Sequence, residues 1–163
     1  DQLGAVLRWM QERVGSVFVV ATANDVSALP PELLRKGRFD EIFFVDLPTE
    51  KERREVVAAS LRAYSRDAGS ISDTLCQEVA EVTGGFTGAE IAAIVPDALF
   101  AAFSEDEREI TALDLILAAQ NVVPLSKTAA EKITALRAWA KGRARFASTP
   151  ETAAVSSGRT LDL

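Results

Sequence analysis

The sequence predicts a mostly helical protein, in which a short α/β fragment is followed by an all-α region. Two short apolar runs rich in β-branched and aromatic residues, Val17–Ala21 and Ile42–Val45, are typical of strands buried on both faces of a parallel sheet. After Pro48, apolar residues recur with helical spacing, and glycine, proline or acidic breaks separate the helical stretches.

The front segment begins with a helix predicted over residues 3–13, which Gly15 ends. The strand Val17–Ala21 follows. Two prolines at 30–31 then open a short helical turn, because proline suits the first turn of a helix. The second strand, Ile42–Val45, ends at Pro48.

Beyond Pro48, Thr49 is expected to cap a helix that runs to about Tyr64. Pro96 should interrupt a later helix and kink it. The further helices are predicted at 73–82, 88–103, 112–121 and 127–145. The resulting organisation is an α/β piece at 1–48, a helical domain at 49–123, a C-terminal helix at 124–147 and a flexible tail at 148–163.

Composition excludes several classes of function. The 163 residues are 48% hydrophobic and 26% charged, which is ordinary for a soluble globular protein. A net charge of −6 argues against binding to nucleic acid or to an anionic membrane. With no histidine and a single cysteine, Cys76, the sequence predicts no metal site, no disulfide within the chain and a reducing, cytoplasmic location. The apolar run Ile91–Phe103 is too short and too interrupted to span a bilayer.

The most informative motif lies between the two strands. Asn24 follows the first strand, and the segment 33–40 reads Leu-Leu-Arg-Lys-Gly-Arg-Phe-Asp, with arginines at 35 and 38. This pattern resembles the second region of homology of the AAA-family ATPases. The resemblance implies that the front segment is the rear of a P-loop NTPase sheet and that the helical domain is the lid of the module.

The resemblance also implies catalytic roles for three residues. Asn24 would be sensor 1, whose amide can contact a γ-phosphate and orient the attacking water. Arg35 and Arg38 would be arginine fingers that complete the site of a neighbouring subunit. The alternatives are that Asn24 makes a turn, that Arg35 binds the carbonyls at a helix end, and that Arg38 is solvated.

A second set of residues would contact the nucleotide. The segment 85–91, Gly-Phe-Thr-Gly-Ala-Glu-Ile, resembles the sensor 2 region of AAA lids, where Gly88 and Ala89 would pack near the adenine and ribose. The helix after Thr49 resembles the family pattern in which Val56 would contact the adenine, and Ser60 stands where the family has histidine. A capping box at the start of one helix and an ordinary lid core are the structural alternatives.

The sequence contains no G-x-x-x-x-G-K-[ST] motif, and Phe43–Asp46 lacks the glutamate that would follow a magnesium-binding acid. The resemblance therefore implies ATP and Mg²⁺ in a complete module, with the magnesium ligands outside this chain and no ATP hydrolysis by the chain alone. It also implies a homo-oligomeric, hexameric ring that remodels a protein partner. The alternative is a non-catalytic helical domain for interaction or oligomerisation.

The AAA fold makes one further prediction about the sheet. In that fold the P-loop strand separates the strands corresponding to Val17–Ala21 and Ile42–Val45. Without that strand, each would expose unpaired backbone groups. We therefore expect the two strands to pair with each other, to pair with another copy or to stay poorly ordered, and expect residues 49–123 to be the stable portion.

Overall fold

The computed structural model describes residues 2–12, 14–26, 33, 39–64 and 72–148. Within these residues the chain is mainly helical, with two short strands. The elements are α1 Gln2–Glu12, β1 Phe43–Phe44, α2 Glu50–Ala63, α3 Asp73–Val82, α4 Gly88–Ser104, α5 Ala112–Gln120, α6 Leu125–Thr128, α7 Ala130–Ala140 and β2 Arg145–Phe146.

Helices α2 to α5 begin where hydroxyl residues cap them. Thr49, Thr87 and Thr111 each form a capping box, in which the threonine hydroxyl accepts from the third helical amide and an acidic side chain accepts from the threonine amide. Ser72 caps α3 through its hydroxyl alone. Because each cap is a local interaction, the sequence predicted these helix starts to within a residue.

The core lies between helices α2, α3, α4 and α5, which pack against one another. Leucine, isoleucine and valine side chains from all four helices are no more than 1% exposed. These residues are Val57, Leu61, Val79, Ile91, Ile94, Val95 and Leu115. Helix α4 continues through Pro96, which is exposed and has no N–H to donate, and the predicted kink there stays a prediction.

The sheet pairs β1 with β2 in parallel. In the sequence, β1 precedes the helical domain and β2 follows it. The Arg145 amide donates to the Ile42 carbonyl at 2.9 Å, and the Ala147 amide donates to the Phe44 carbonyl at 2.9 Å. The rings of Phe44 and Phe146 pack edge to face with centroids 5.4 Å apart. Because backbone groups alternate along a strand, Phe43 directs its N–H and C=O to the opposite edge of β1.

The prediction of a buried strand at Val17–Ala21 is wrong. This segment has no strand pairing, and Phe18 and Val20 are 93% and 75% exposed. The strand predicted at Ile42–Val45 is confirmed in its centre, but its partner is the C-terminal segment, which none of the expected arrangements included. A two-residue strand that pairs with distant residues leaves no periodic signal in the sequence.

The helix predicted over 127–145 is also wrong in its extent. It is divided at Ala129 into α6 and α7, and it ends at Ala140. Gly142 then adopts a φ of +79°, a left-handed conformation that favours glycine and turns the chain into β2. The boundaries of α1 to α5 agree with the prediction to within about one residue, the uncertainty of such boundaries in general. The helical turn predicted after Pro30 and nearly all of the predicted tail 148–163 lie outside the described residues. No helix among the described residues is both long and apolar enough to cross a bilayer.

Candidate functional site

Helix α2 is held in place by its first turn. The Thr49 amide donates to the Glu52 carboxylate at 2.8 Å, which completes the capping box. Arg53 is 7% exposed, and its guanidinium donates to the Ala80 carbonyl at 2.9 Å and to the Pro48 carbonyl at 3.0 Å. These bonds fix α2 against the end of α3 and against the segment that leaves β1.

The N-terminus of α4 is organised by Glu90, both of whose carboxylate oxygens accept hydrogen bonds. Oε2 accepts from the Thr87 amide at 2.7 Å, and Oε1 accepts from the Leu125 amide at 2.7 Å. Desolvation opposes the charged form of Glu90, but the bonds from Thr87 and Leu125 together hold its pKa below the ordinary value. The carboxylate thereby links the start of α4 to the start of α6.

The structure brings the predicted nucleotide contacts of the two helices together. A methyl group on Gly88 would lie 4.0 Å from the Val56 side chain, which is ordinary van der Waals contact. Ser60 is half-buried one helical turn beyond Val56, on the same face of α2, and Ala89 is exposed beside Gly88 in the first turn of α4. Val56 and Gly88 therefore lie within reach of each other where α2 passes the N-terminus of α4, and Ser60 lies on the same face of α2 as Val56.

Of the predicted catalytic residues, the structure describes only Asn24. Asn24 is exposed at a bend, and its neighbour Asp25 lies 4.0 Å from Lys132 of α7. Arg35 and Arg38 lie outside the described residues, so their roles as arginine fingers stay a prediction. The described residues contain no group of three or more side chains suited to holding a metal ion.

A cavity of about 450 Å³ occupies a different place, at the junction of β1, α2 and the C-terminal segment. Among the described residues, the predicted site residues do not line it. Its lining includes Asp46, Arg53, Gly85, Arg137 and Phe146. Asp46 accepts from Arg137 Nε at 2.8 and 3.0 Å, so this acidic residue has a structural role. The sequence offered no signal for the contact, because the two residues are 91 positions apart.

Comparison with known proteins agrees with the motif. The family model described as "ATPase family associated with various cellular activities (AAA)" matches residues 1–47. No solved structure matches the chain.

Relatives were found among several AAA proteins. The chain is 42% identical over 146 residues to "Uncharacterized AAA domain-containing protein ycf46" of Guillardia theta, covering 89% of the chain and 28% of the relative. It is 38% identical over 112 residues to "ATP-dependent zinc metalloprotease FtsH" of Acidothermus cellulolyticus, covering 69% of the chain and 16% of the relative. It is 36% identical over 107 residues to "Proteasome-activating nucleotidase" of Aeropyrum pernix, covering 66% of the chain and 25% of the relative.

The chain thus spans less than a third of the length of these relatives. An alignment that covers 89% of the chain leaves out too few residues to miss α6 and α7, so the C-terminal helices are included in the match to the ycf46 protein. The family model covers the segment with the Asn24 motif, and the relatives extend the likeness through the helical domain. The chain belongs to the AAA family of ATPases.

Proposed function

We propose that this chain is the C-terminal portion of an AAA ATPase module whose complete form binds and hydrolyses ATP in an oligomeric ring. The proximity of Val56 to the start of α4, where a methyl group on Gly88 would lie 4.0 Å from the Val56 side chain, is the observation that carries the proposal. An adenine needs an apolar wall and a close approach to the backbone. Val56 supplies the first, and Gly88, which has no side chain, supplies the second.

The first turn of α4 adds an electrostatic element to this face. Helix N-termini attract negative groups because their amides point outward and the helix dipole is positive there. The Glu90 amide is satisfied by the Thr87 hydroxyl at 3.2 Å, so Gly88 and Ala89 present the remaining start of the helix. These features suit the ribose and phosphate side of a nucleotide. When Mg²⁺ is bound with ATP in a complete module, its ligands come from outside this chain.

The sheet supports the same reading. β2 uses one edge of β1, and Phe43 directs its backbone groups to the other edge. In the AAA fold the P-loop strand lies beside the strand that corresponds to β1. The opposite edge is the place at which that strand of a complete module would add.

Asn24, Arg35 and Arg38 complete the proposed mechanism. Asn24 would orient the attacking water, and the two arginines would neutralise charge on the transferring phosphoryl group of an adjacent subunit. Arginines that act across an interface require oligomers, so a homo-oligomeric ring, a protein substrate and a cytoplasmic location form part of the proposal. The chain alone would not hydrolyse ATP, because it lacks the phosphate-binding motif.

A second candidate is a non-catalytic helical interaction domain. Phe100 and Phe103 of α4 are 75% and 63% exposed, which is unusual for two phenylalanines one turn apart. This observation favours contact with another protein surface. The two candidates differ in one expectation: the first requires the face at Val56 to bind a nucleotide, and the second does not.

Titration of the isotope-labelled chain with ADP, followed by NMR, separates the candidates. The nucleotide proposal expects weak binding, with chemical-shift changes concentrated at Val56, Ser60, Gly88 and Ala89. Gly88→Val should abolish these changes by filling the space beside Val56. Gly84→Ala is the matched control, because a methyl group there meets no atom within 4 Å. Shifts that spare this face, or tight binding elsewhere, would refute the nucleotide contact.

Catalysis in trans is testable in a protein that carries both this chain and a P-loop half. Arg35→Ala or Arg38→Ala should abolish turnover and leave ATP affinity nearly unchanged. Mixing either variant with a variant defective in the P-loop should restore part of the activity at mixed interfaces. If no mixing ratio restores activity, the arginines do not act across subunits.

A further inference from the structure

The segment after the helical domain, residues 124–148, contacts both the helical domain and strand β1; we name it the C-terminal strap. Between β1 and α2 the chain has only Val45–Thr49. A connection this short leaves the angle between β1 and the helical domain to be set by other contacts. The strap supplies such contacts at both of its ends.

The first end of the strap is anchored on the helical domain. The Leu125 amide donates to Glu90, as described above. Ser126 packs against Gly85, where a methyl group would lie 2.6 Å from the Ser126 hydroxyl oxygen. Gly85 also has a φ of +81°, so both backbone conformation and space require glycine there. This anchor depends on close packing and on one charged hydrogen bond.

The second end is anchored on β1 and on the segment that leads into α2. Two backbone hydrogen bonds and the edge-to-face phenylalanine rings join β2 to β1. Arg137 binds Asp46, Arg145 lies 3.4 Å from Glu41, and the Ser148 hydroxyl donates to Glu52. The hydrogen bond from Ser148 contributes most to holding the Glu52 pKa below its ordinary value, ahead of those from Thr49.

The ion pairs that join the α7 and β2 parts of the strap to the rest of the chain, including one to Asp25, have a consistent sign. The strap contributes Lys132, Arg137 and Arg145, and the body of the chain contributes Asp25, Asp46 and Glu41. All three ion pairs are at least partly exposed to solvent, so each is weak alone and screened by salt. The strand end is therefore the easier end to detach.

We propose that the C-terminal strap is a releasable clamp that sets the orientation of the helical domain relative to strand β1. Closed, it holds β1, α2 and α4 in one arrangement and lines one side of the cavity beside β1 and α2. Released at its strand end, it stays attached through α6 and lets the helical domain turn about Val45–Thr49. The clamp is a property of this chain and goes beyond the proposed function, since it requires neither nucleotide nor a ring.

Amide hydrogen exchange of the full chain, read by NMR, tests the clamp directly. In the unmodified chain the Arg145 and Ala147 amides should be protected, but less than the amides of α2 to α5. Arg137→Ala should speed their exchange about fivefold and leave α2 to α5 unchanged. Arg143→Ala is the matched control, since the guanidinium of Arg143 bonds within the strap, to the Trp139 carbonyl, and to no other of the described residues.

Charge reversal sharpens the test. Asp46→Arg alone should release the strand end, and Asp46→Arg combined with Arg137→Asp should restore protection at Arg145 and Ala147. Ser148→Asp should release it more than Ser148→Ala does, because a carboxylate there would face Glu52. Raising the salt concentration should speed exchange at the strand end more in the unmodified chain than in Arg137→Ala, where fewer ion pairs remain to be screened.

Three outcomes would overturn the clamp. The first is exchange of Arg145 and Ala147 at unprotected rates in the unmodified chain. The second is equal acceleration throughout α2 to α5 in Arg137→Ala, which would make the ion pair part of global stability. The third is no rescue by the charge-reversed pair. None of these readouts involves nucleotide, so they are independent of whether the proposed function holds.

Discussion

The helical domain and the front of the chain differ in how their apolar residues are used. In helices α2 to α5 the large aliphatic side chains of the core are almost fully buried, whereas at the front Phe18, Val20 and Val45 are 93%, 75% and 77% exposed. A helix satisfies its own backbone and needs only one packed face. A strand also needs a neighbouring strand to hydrogen-bond with its backbone N–H and C=O groups. The comparison shows that the helical domain carries its own core, and that the strand segments depend on what pairs with them.

The largest expected effect is a loss of stability when a core side chain of the helical domain is truncated. Leu115→Ala removes a side chain that is 0% exposed and should lower the free energy of unfolding by about 3 kcal/mol. Val20→Ala removes a similar aliphatic side chain from the front and should change it by less than about 0.5 kcal/mol. Urea denaturation followed by circular dichroism measures both. Comparable losses in the two variants would mean that the front segment is packed as tightly as the helical domain.

A smaller loss is expected from the ion pair at the start of α5. Asp114 is 7% exposed and accepts from both terminal nitrogens of Arg108, at 2.7 and 2.8 Å. Because Arg108 is 35% exposed, solvent screens the pair, and Asp114→Ala should cost about 2 kcal/mol, less than a fully buried pair. Glu105→Ala removes the exposed partner of the same arginine and should cost less than about 0.5 kcal/mol. Equal costs would show that burial of Asp114 does not matter.

The same carboxylate makes the stability depend on pH. The hydrogen bonds from Arg108 outweigh the opposing effect of burial and hold the pKa of Asp114 well below its ordinary value of 3.8. The unfolded chain therefore binds this proton at higher pH than the folded chain. The contribution of Asp114 is complete above pH 3.8 and is lost as the pH falls below it. Urea denaturation between pH 6 and pH 3 should show a larger loss of stability in the unmodified chain than in Asp114→Ala; parallel curves would contradict this.

The smallest of these effects concerns a helix cap. Thr87→Ala removes the hydroxyl that caps α4 and should cost about 1 kcal/mol. Thr134→Ala is the control, because its exposed hydroxyl only bonds back to the Ala130 carbonyl within α7. The unfolding midpoint in urea compares the two. If Thr134→Ala lowers it as much, the loss comes from replacing threonine in general and not from the cap.

Local chemistry explains which parts of the fold the sequence could predict. Helices α2 to α5 are capped through residues only three positions away, so the sequence could predict where they begin. The capping residues are Thr49, Ser72, Thr87 and Thr111. The pairing of β1 with β2 could not be predicted. Arg145 and Glu41, at the sheet, are 104 positions apart, and each strand is too short to show a periodic pattern. Helix 127–145 failed for a related reason, because Gly142 within it permits the turn that a helical pattern does not reveal.

The candidate site likewise has one part that the sequence could predict and one part that it could not. The resemblance to AAA proteins predicted that Val56 and Gly88 belong to one site, and the structure places them in reach of each other. The ionic contacts of the junction, above all Arg137 with Asp46, were missed because neither residue stands in a recognisable motif. Arg35 and Arg38 lie outside the described residues, so the motif remains the basis for their assignment.

The parallel pairing of β1 with β2 has a consequence for the order in which the chain folds. Helices α2 to α5 are contiguous in sequence, so their contacts can form soon after they leave the ribosome. The strand pair closes a loop that contains all of them, and its last hydrogen bond waits for Ala147. We therefore expect the sheet to form last, in a step whose rate depends on loop closure and not on helix formation. A chain that ends at Ala140 should acquire its helices at the normal rate and never complete that final step.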